Sequence, residues 1–211
     1  MTTLANVPAK GVVALTSGGL DSTVMAYLLV SRGYEVFPLF VDYGQQASAK
    51  ELAAARKILP KQCGRSVKLV RIPALAANTH SRLTTGREGN FWMPHRNLLL
   101  ITVAGIYAQS IGMNVVSIGV IGEATIAVPD ADSAFLEAAT GILTKSAGCS
   151  CLVVAPLRSL NKADVMRLAS ALQVPARRTW SCYLGGQKPC GSCPACLSRS
   201  LAETFVTQER T

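Results

Sequence analysis

A glycine-rich turn near the amino terminus constrains the fold of this chain more than any other feature. The run Ser17-Gly18-Gly19-Leu20-Asp21-Ser22-Thr23 directly follows the apolar residues 12–15 and opens a stretch with helical character. Glycines let successive backbone N–H groups point at one anion, and the positive end of the following helix adds a favourable potential. A strand, a phosphate-binding loop and a helix are therefore predicted here. An ordinary glycine-rich turn, capped by Ser17 or Ser22, is the alternative.

The same run differs from a Walker A loop because no Gly-Lys-Ser or Gly-Lys-Thr closes it. Without that lysine, the loop is better suited to binding a departing pyrophosphate than to transferring a γ-phosphoryl group. The sequence therefore predicts a reaction that begins with attack at the α-phosphorus of ATP.

Apolar runs alternate with helical stretches along most of the chain. Predicted strands cover 11–16, 35–41, 67–72, 114–120 and 151–155, and predicted helices cover 20–32, 46–59, 97–111, 132–147 and 161–172. This rhythm is typical of a Rossmann-like α/β fold, a parallel sheet with helices on both faces. Ligands of such sheets bind beyond the carboxyl ends of the strands. We therefore expect the site where residues 17–23, 42–45 and 119–123 emerge.

Four cysteines near the carboxyl terminus have the spacing of a metal site. Cys190, Cys193 and Cys196 repeat a two-residue gap, and Cys182 lies eight positions upstream of Cys190. In a cytoplasmic protein, thiolates at this spacing favour a closed, structural Zn²⁺ site over disulfides. An iron–sulfur cluster is the alternative, because four cysteines also ligate one.

Composition and patterning indicate an ATP-binding α/β domain, 1–172, and a small zinc-binding appendage, 173–211. The chain has 211 residues, 49% of them apolar, and no apolar run is long enough to span a bilayer. Its formal charge of +9 is scattered, which suits a nucleotide and an anionic substrate without requiring nucleic acid. Residues 1–10 lack the apolar core of a secretory signal, so we expect a cytoplasmic protein.

Residues 73–96 and 121–131 have little periodicity and are interpreted as loops, the first an active-site flap.

The order of these motifs resembles the PP-loop ATP pyrophosphatases, and more narrowly the 7-cyano-7-deazaguanine synthases of the queuosine pathway. The resemblance covers most of residues 11–200 and rests on these runs: Ser17 to Thr23, Asp42-Tyr43-Gly44-Gln45, Pro94-His95-Arg96-Asn97, Pro156-Leu157, Leu160-Asn161-Lys162, Thr179-Trp180-Ser181-Cys182-Tyr183 and the three-cysteine run. Members of that family use ATP to activate the carboxylate of 7-carboxy-7-deazaguanine as an adenylate. Ammonia attacks the adenylate to give the amide, and a second activation dehydrates the amide to a nitrile. The resemblance implies this activity and a homodimer.

The resemblance also implies roles for individual residues. The catalytic residues would be Asp21, Arg96 and Lys162. The nucleotide would be held by Ser17, Gly18, Gly19, Leu20, Asp21, Ser22, Thr23, Asp42, Gln45 and Arg96. Asp21 would also help to bind Mg²⁺, which offsets charge during the displacement.

Simpler interpretations of several residues stay open. Asp21 is an acid of the kind that a helix dipole favours near a helix start. Asn97 would only cap the helix after it, and Lys162 would be solvated beside a capping arrangement of Asn161 and Asp164. Asp42 and Gln45 would form an ordinary polar turn.

The chain departs from the family in the predicted substrate loop, which lies before the fourth predicted helix. Members that make the nitrile carry a Pro-Asp-Cys-Arg run, where this chain has Ile126-Ala127-Val128-Pro129-Asp130-Ala131-Asp132. Asp132 does not replace the guanidinium fork of that arginine. An alternative is therefore a paralogue that adenylates a deazaguanine and transfers it to an amine on a protein or nucleic acid, in a defence or modification system. A zinc-ribbon module that binds nucleic acid is a more distant alternative.

Overall fold

Five parallel strands form the central sheet of the computed structural model, which describes residues 10–87, 89–122 and 128–208. The strands are β1 (Gly11–Leu15), β2 (Glu35–Asp42), β3 (Lys68–Arg71), β4 (Val115–Ser117) and β5 (Leu152–Val154). Their order in the sheet is β3-β2-β1-β4-β5. The central strand β1 pairs with both neighbours in parallel, so that Val13 lies opposite Phe37 and Val116. The predicted parallel sheet is therefore confirmed.

Seven α-helices and three 3₁₀ helices surround the sheet in the described part of the chain. The α-helices are α1 (Leu20–Ser31), α2 (Ser48–Cys63), α3 (Arg82–Thr85), α4 (Arg96–Ser110), α5 (Ser133–Ala147), α6 (Lys162–Ala171) and α7 (Pro194–Gln208). The 3₁₀ helices cover Pro73–Asn78, Pro129–Ala131 and Ala176–Arg178. No helix in the described ranges is both long and apolar enough to cross a membrane.

Side chains of β1 alternate between two hydrophobic cores, one on each face of the sheet. Val12 and Ala14 pack in a cluster with residues of α1, α2 and α6, whereas Val13 and Leu15 pack in a cluster with residues of α4 and α5. Since both faces of the strand are covered, apolar residues are favoured at every position of β1. The structure confirms the predicted Rossmann-like fold with helices on both faces.

The order of strands along the chain reverses between β1 and β4, at the centre of the sheet. The turn after β4 touches the start of α1, because a Cβ added to Gly119 would lie 3.0 Å from the Cα of Ser22. In open α/β sheets, ligands bind in the crevice at this reversal point. The fold therefore places the glycine-rich loop where a nucleotide is expected.

The appendage contains more regular structure than the sequence predicts. The pattern beyond residue 173 indicates turns and cysteines, but α7 is a helix of 15 residues. It begins at Pro194, whose fixed φ and missing N–H suit the first helical turn. Its large apolar residues Leu197, Leu201 and Phe205 recur every four residues, the spacing of one helix face, although they are 51, 62 and 58% exposed.

The predicted flap is also partly helical. Residues 73–96 contain the first 3₁₀ helix and α3, and Leu83 and Met93 pack against Tyr43 in a small separate core. Residues 123–127 are not among the described residues. Glu123 and the start of the predicted substrate loop, Ile126-Ala127, therefore lie outside the described part of the chain.

Candidate active site

A cavity of about 620 Å³ opens at the carboxyl ends of the central strands. Its walls come from the turns after β1, β2 and β4, from residues 90–93 of the flap, from the starts of α4 and α6, and from residues 180–183. Eight predicted site residues line it: Ser17, Gly19, Leu20, Asp21, Ser22, Gln45, Arg96 and Lys162. Gly18, Thr23 and Asp42 are not part of its described wall. The fold thus brings all three predicted catalytic residues to one cavity.

Hydroxyl groups hold the glycine-rich loop from within. The N–H of Ser17 donates to Oγ of Ser22 at 3.1 Å, and the N–H of Gly19 donates to Oγ of Ser17 at 3.3 Å. The buried hydroxyl of Thr23 donates to the carbonyl of Gly19 at 2.7 Å. Thr23 therefore supports the loop from the interior, while Ser17, Gly19 and Ser22 face the cavity.

Gly18 shapes the loop by allowing a close approach. Its φ is +70°, and an added Cβ would lie 2.2 Å from the carbonyl oxygen of Glu51 in α2. A side chain here would suffer both backbone strain and a collision with α2. Packing between the loop and α2 therefore requires glycine at this position.

Lys162 and Asp21 form an ion pair on one side of the cavity. The Nζ of Lys162 lies 2.7 Å from each carboxylate oxygen of Asp21, and the two side chains are 10% and 26% exposed. Lys162 is the first residue of α6, which begins with a capping box formed by Asn161 and Asp164. The predicted capping arrangement is confirmed, whereas the interpretation of Lys162 as a solvated lysine is wrong.

Asp42 and Gln45 have different roles at the end of β2. Oδ1 of Asp42 accepts the N–H of Gly44 at 3.1 Å, which closes the polar turn that the simpler interpretation predicts. Gln45 is held by the N–H of Tyr43, which donates to its Oε1 at 3.0 Å. Its Nε2 donates to Oε2 of Glu51 at 3.0 Å. Gln45 therefore orients a carboxyl group that the sequence did not single out.

Burial raises the pKa of Glu51 to about 7. The hydrogen bond from Gln45 and the charge of Arg96 lower this pKa, but they do not offset the loss of solvent. A carboxyl with such a pKa changes its charge near neutral pH, which is common in functional sites. In the sequence, Glu51 is indistinguishable from the acids that favour the first turn of any helix, so no signal identified it.

Arg96 is a cation in a largely aromatic part of the wall. Burial lowers the pKa of Arg96, but Tyr43, Tyr183 and Asp130 outweigh it and raise the pKa above its ordinary value. Burial raises the pKa of Tyr43 to about 12, so this hydroxyl keeps its proton at neutral pH. The ring of Phe91 packs on that of Tyr183, with centroids 5.3 Å apart. A guanidinium beside aromatic rings can bind a planar, anionic ligand.

Asn97 connects the start of α4 to the predicted substrate loop. Its N–H donates to Oδ2 of Asp130 at 3.0 Å, and its Nδ2 donates to the carbonyl of Asp130 at 2.8 Å. The helix begins at Arg96, and the residue before it, His95, has a φ of 63° and makes no side-chain cap. Asp130 therefore supplies the acceptor at this helix start, and the prediction that Asn97 caps the helix is wrong.

The four predicted cysteine ligands come together in the appendage. Their sulfur atoms all lie within 4.8 Å of one another, and those of Cys190 and Cys196 are 4.0 Å apart. A tetrahedral zinc–thiolate site, with Zn–S bonds of about 2.3 Å, needs sulfurs roughly 3.8 Å apart. The N–H groups of Leu184 and Cys190 each lie 3.4 Å from Sγ of Cys182, an arrangement that supports a bound thiolate. The cluster can therefore hold zinc or another thiolate-binding metal.

Comparisons with known proteins agree with this geometry. Curated relatives named 7-cyano-7-deazaguanine synthase occur in Methanothrix thermoacetophila, 33% identical over 89% of this chain and 91% of theirs, and in Picrophilus torridus, 37% identical over 89% and 84%. Among solved structures, an NH3-dependent NAD synthetase from Campylobacter jejuni covers 83% of this chain and 69% of its own, with 20% identity and a TM-score of 0.51. The U34-tRNA thiolase NcsA from Methanococcus maripaludis covers 94% and 65%, with 18% identity and a TM-score of 0.52. These two structures support the fold alone.

The family assignment rests on nearly the whole chain. Residues 11–206 match the family described as queuosine biosynthesis protein QueC. This range contains the glycine-rich loop, the cavity and the four cysteines. The match and the synthase relatives make the protein an ATP-dependent enzyme of the ligase type, as the sequence predicts. The chain belongs to the QueC family.

Proposed function

We propose that this enzyme uses ATP to activate the carboxylate of 7-carboxy-7-deazaguanine and transfers the acyl group to ammonia. The carboxylate attacks the α-phosphorus, pyrophosphate leaves and an acyl adenylate forms. Ammonia then attacks the acyl carbon, and AMP leaves with the bonding electron pair to give the amide. A second ATP activates the amide oxygen, whose departure gives 7-cyano-7-deazaguanine. The name shared by the curated relatives supports this substrate and product.

The observation that carries the proposal is the convergence of the glycine-rich loop, Arg96 and the Lys162–Asp21 ion pair on one cavity at the reversal point of the sheet. Adenylation needs the carboxylate and the α-phosphorus to be held together and the departing pyrophosphate to be stabilised. The N–H groups of the first turn of α1, which have no partner within the helix, are the proposed pyrophosphate donors together with the Ser17 and Ser22 hydroxyls. Leu20 and Gln45 are proposed to contact the nucleotide. Gly18, Thr23 and Asp42 are proposed to act indirectly, by shaping the loop and the turn.

Lys162 and Asp21 are proposed to exchange partners when ATP binds. In the pair, each charge compensates the other inside the cavity. Bound triphosphate would give the Lys162 ammonium an anionic partner, and the freed carboxylate of Asp21 suits Mg²⁺, a cation that prefers oxygen ligands. The metal would supply further charge compensation as pyrophosphate leaves.

Arg96 is proposed to bind the anionic part of the nucleotide or of the acyl adenylate. The aromatic rings of Phe91 and Tyr183, which line the same cavity, would pack against a planar heterocycle. The substrate 7-carboxy-7-deazaguanine has both features, a flat ring system and a carboxylate. The chemistry of this wall therefore supports a deazaguanine ligand.

The four-cysteine cluster is proposed to hold Zn²⁺ with a structural role. Four thiolates leave no open position for water, so the metal would stabilise the appendage and take no part in the reaction. Metal analysis of the purified protein should give one zinc per chain and a colourless solution. Iron with visible absorption would establish the iron–sulfur alternative instead.

The direct test of the main proposal is the product. Incubation with ATP, Mg²⁺, 7-carboxy-7-deazaguanine and ammonia should release pyrophosphate and AMP and form the nitrile, detected by its mass. Omission of either the deazaguanine or ammonia should prevent nitrile formation. Substitution Arg96→Met should reduce the rate strongly, whereas substitution of the exposed Arg32 should not. The absence of pyrophosphate release with this substrate would reject the proposed activation.

A second candidate function differs only in the acceptor. In the family run Pro-Asp-Cys-Arg, the last two positions correspond here to Ala131, which is buried, and Asp132, whose Oδ1 accepts the N–H of Phe135 and caps α5. Neither residue can supply the cation of the missing arginine. This substitution favours a paralogue that transfers the deazaguanine acyl group to an amine on a protein or nucleic acid. Accumulation of adenylate or amide in the product assay, without nitrile, would favour this candidate.

The remaining assignments are also proposals. We keep residues 1–172 as the ATP-binding unit and 173–211 as the metal-binding appendage. A homodimer is supported by the exposed apolar residues Leu197, Leu201 and Phe205 on α7, and light scattering of the purified protein would test it. A reducing compartment such as the cytoplasm is supported by the need to keep the cysteine cluster as thiolates.

A further inference from the structure

The appendage holds the glycine-rich loop directly through Trp180. The backbone N–H of Trp180 donates to the carbonyl of Gly18 at 2.9 Å. A Cβ added to Gly19 would lie 3.5 Å from the carbonyl oxygen of Trp180, so the two backbones are in close contact at both loop glycines. The conformation of the loop therefore depends on where residue 180 is placed.

The side chain of Trp180 reaches in the opposite direction, toward the cysteine cluster. Its Nε1–H donates to the carbonyl of Cys182 at 2.9 Å. Cys182 is buried, and its Sγ is one of the four sulfurs of the cluster. The ammonium of Lys50, from α2, lies 5.6 Å from the indole centroid. One residue thus joins a metal ligand to the phosphate-binding loop with a hydrogen bond at each end.

A second connection runs through α7. This helix starts next to Cys193 and carries Cys196, so a metal bound to the cluster would fix its first turn. From the same helix, the guanidinium of Arg199 donates to the carbonyl of Ala176 at 2.8 Å and to Oγ1 of Thr179 at 3.0 Å. Because Thr179 precedes Trp180, the cluster controls the chain on both sides of that residue.

The appendage also forms part of the cavity wall. The wall includes Trp180, Ser181, Tyr183, Pro194, Ala195 and Ser198. A Cβ added to Gly185 would lie 2.1 Å from the carbonyl oxygen of Gln46, so the appendage is packed directly on the turn after β2. Disorder of the cluster would therefore disturb the wall as well as the loop.

We propose that metal binding at the four cysteines and nucleotide binding at the glycine-rich loop are thermodynamically coupled through Trp180, which is a positioning residue for the loop. This inference rests on the proposed function, because it takes ATP as the ligand of the loop. Metal holds residues 179–183 in place, and they hold the loop in the conformation that presents its N–H groups. Coupling of this kind is reciprocal, so ATP tightens metal binding by the same factor.

The first test compares ATP affinity with and without metal. Calorimetric titration of the zinc-loaded protein and of protein stripped by a chelator under reducing conditions should differ by a factor in the range of roughly 5 to 150. Circular dichroism of both forms establishes whether the sheet and helices persist. Equal affinity of the two forms would overturn the coupling and leave the proposed function standing. No ATP binding by the zinc-loaded form would overturn both.

The second test measures the same coupling from the side of the metal, and circular dichroism in the presence of the chelator establishes that the metal-free form stays folded. Competition with a chelator of known zinc affinity should show tighter zinc binding in the presence of Mg–ATP, by the factor found in the first test. Zinc affinity that does not respond to Mg–ATP would overturn the proposal.

The variant Trp180→Ala separates this connection from a general effect of the appendage. It keeps a backbone N–H for Gly18 but removes the bond to Cys182, so the dependence of ATP affinity on zinc should fall at least about threefold, with the remainder carried by Arg199. Comparison of the variant with the wild type in the same buffer also cancels any zinc that Mg–ATP itself sequesters, because that loss is equal for both proteins. The control Ile106→Ala, at a 68% exposed position on α4, should keep the full coupling factor. A wild-type coupling factor in Trp180→Ala would refute the assignment to Trp180.

Discussion

Replacement of Lys162 by methionine separates the structural from the functional contribution of the Lys162–Asp21 pair. At a charge separation of 2.7 Å and an effective dielectric constant of about 20, the gross attraction is ~6 kcal/mol. Desolvation of two largely buried side chains offsets most of this attraction. We therefore expect Lys162→Met to lower the free energy of unfolding by about 1–3 kcal/mol. For a chain of this size, that loss is a decrease in Tm of roughly 2–12 °C.

The effect on activity should be larger. Because Lys162 is proposed to compensate the charge of the departing pyrophosphate, its loss should reduce the rate of ATP-dependent pyrophosphate release roughly 100- to 1,000-fold. The double variant Lys162→Met/Asp21→Asn removes the uncompensated carboxylate, so it should recover most of the lost stability without recovering activity. Thermal denaturation and a coupled pyrophosphate assay measure the two quantities. Lys145→Met, at an exposed lysine of α5, is the control and should change neither.

Two results would refute this reasoning. If Lys162→Met retained activity within about threefold of the wild type, Lys162 would have only a structural role. If the double variant regained activity together with stability, the defect of the single variant would come from the unpaired carboxylate of Asp21.

Three further predictions follow from the packing of the site. The folded-state pKa of Glu51, about 7, lies above its ordinary 4.5, so the folded protein favours the protonated carboxyl. The wild type should therefore lose up to roughly 3 kcal/mol of unfolding free energy, relative to Glu51→Gln, as pH rises from about 4.5 through about 7. Urea unfolding at several pH values measures this, and parallel curves for the two proteins would contradict it. Gly18→Ala should destabilise the fold by at least about 2 kcal/mol, because Gly18 has a positive φ and contacts α2. The control Gly141→Ala, in open space on α5, should be neutral or stabilising by about 0.5–1 kcal/mol. Equal Tm values for these two variants would argue against the packing described for Gly18. Asn97→Ala should cost about 1–2 kcal/mol because it removes the hydrogen bonds from Nδ2 to the carbonyl oxygen and Oδ1 of Asp130, while the backbone N–H still donates to Oδ2. A change in Tm below about 1 °C would show that this contact contributes little.

Local features of the sequence were sufficient to predict the fold. Apolar runs bounded by polar turns identified the five strands of the described residues to within a few residues, because the central strands of a parallel sheet are buried on both faces and are largely apolar. The glycine-rich loop and the cysteine cluster were predictable because their chemistry depends on residues that are neighbours in the chain.

Contacts between distant segments account for what the sequence could not reveal. Glu51 is a functional candidate only because Gln45 and Arg96 lie beside it in the folded protein. The partner of Asn97 is 33 residues away, and no local pattern connects Asn97 to Asp130. The helix α7, in contrast, could have been predicted, because Leu197, Leu201 and Phe205 have the four-residue spacing of one helix face.

The acceptor that Asp130 provides to α4 has a consequence for attempts to re-engineer this enzyme. The loop that would meet the substrate also anchors the helix from which Arg96 projects, by two hydrogen bonds to Asn97. A graft of this loop from a relative with another acceptor would therefore alter the proposed substrate contacts and the position of Arg96 together. A donor loop should keep, at the position of Asp130, a side chain that can accept the N–H of Asn97, because the second bond goes to a backbone carbonyl that any residue supplies.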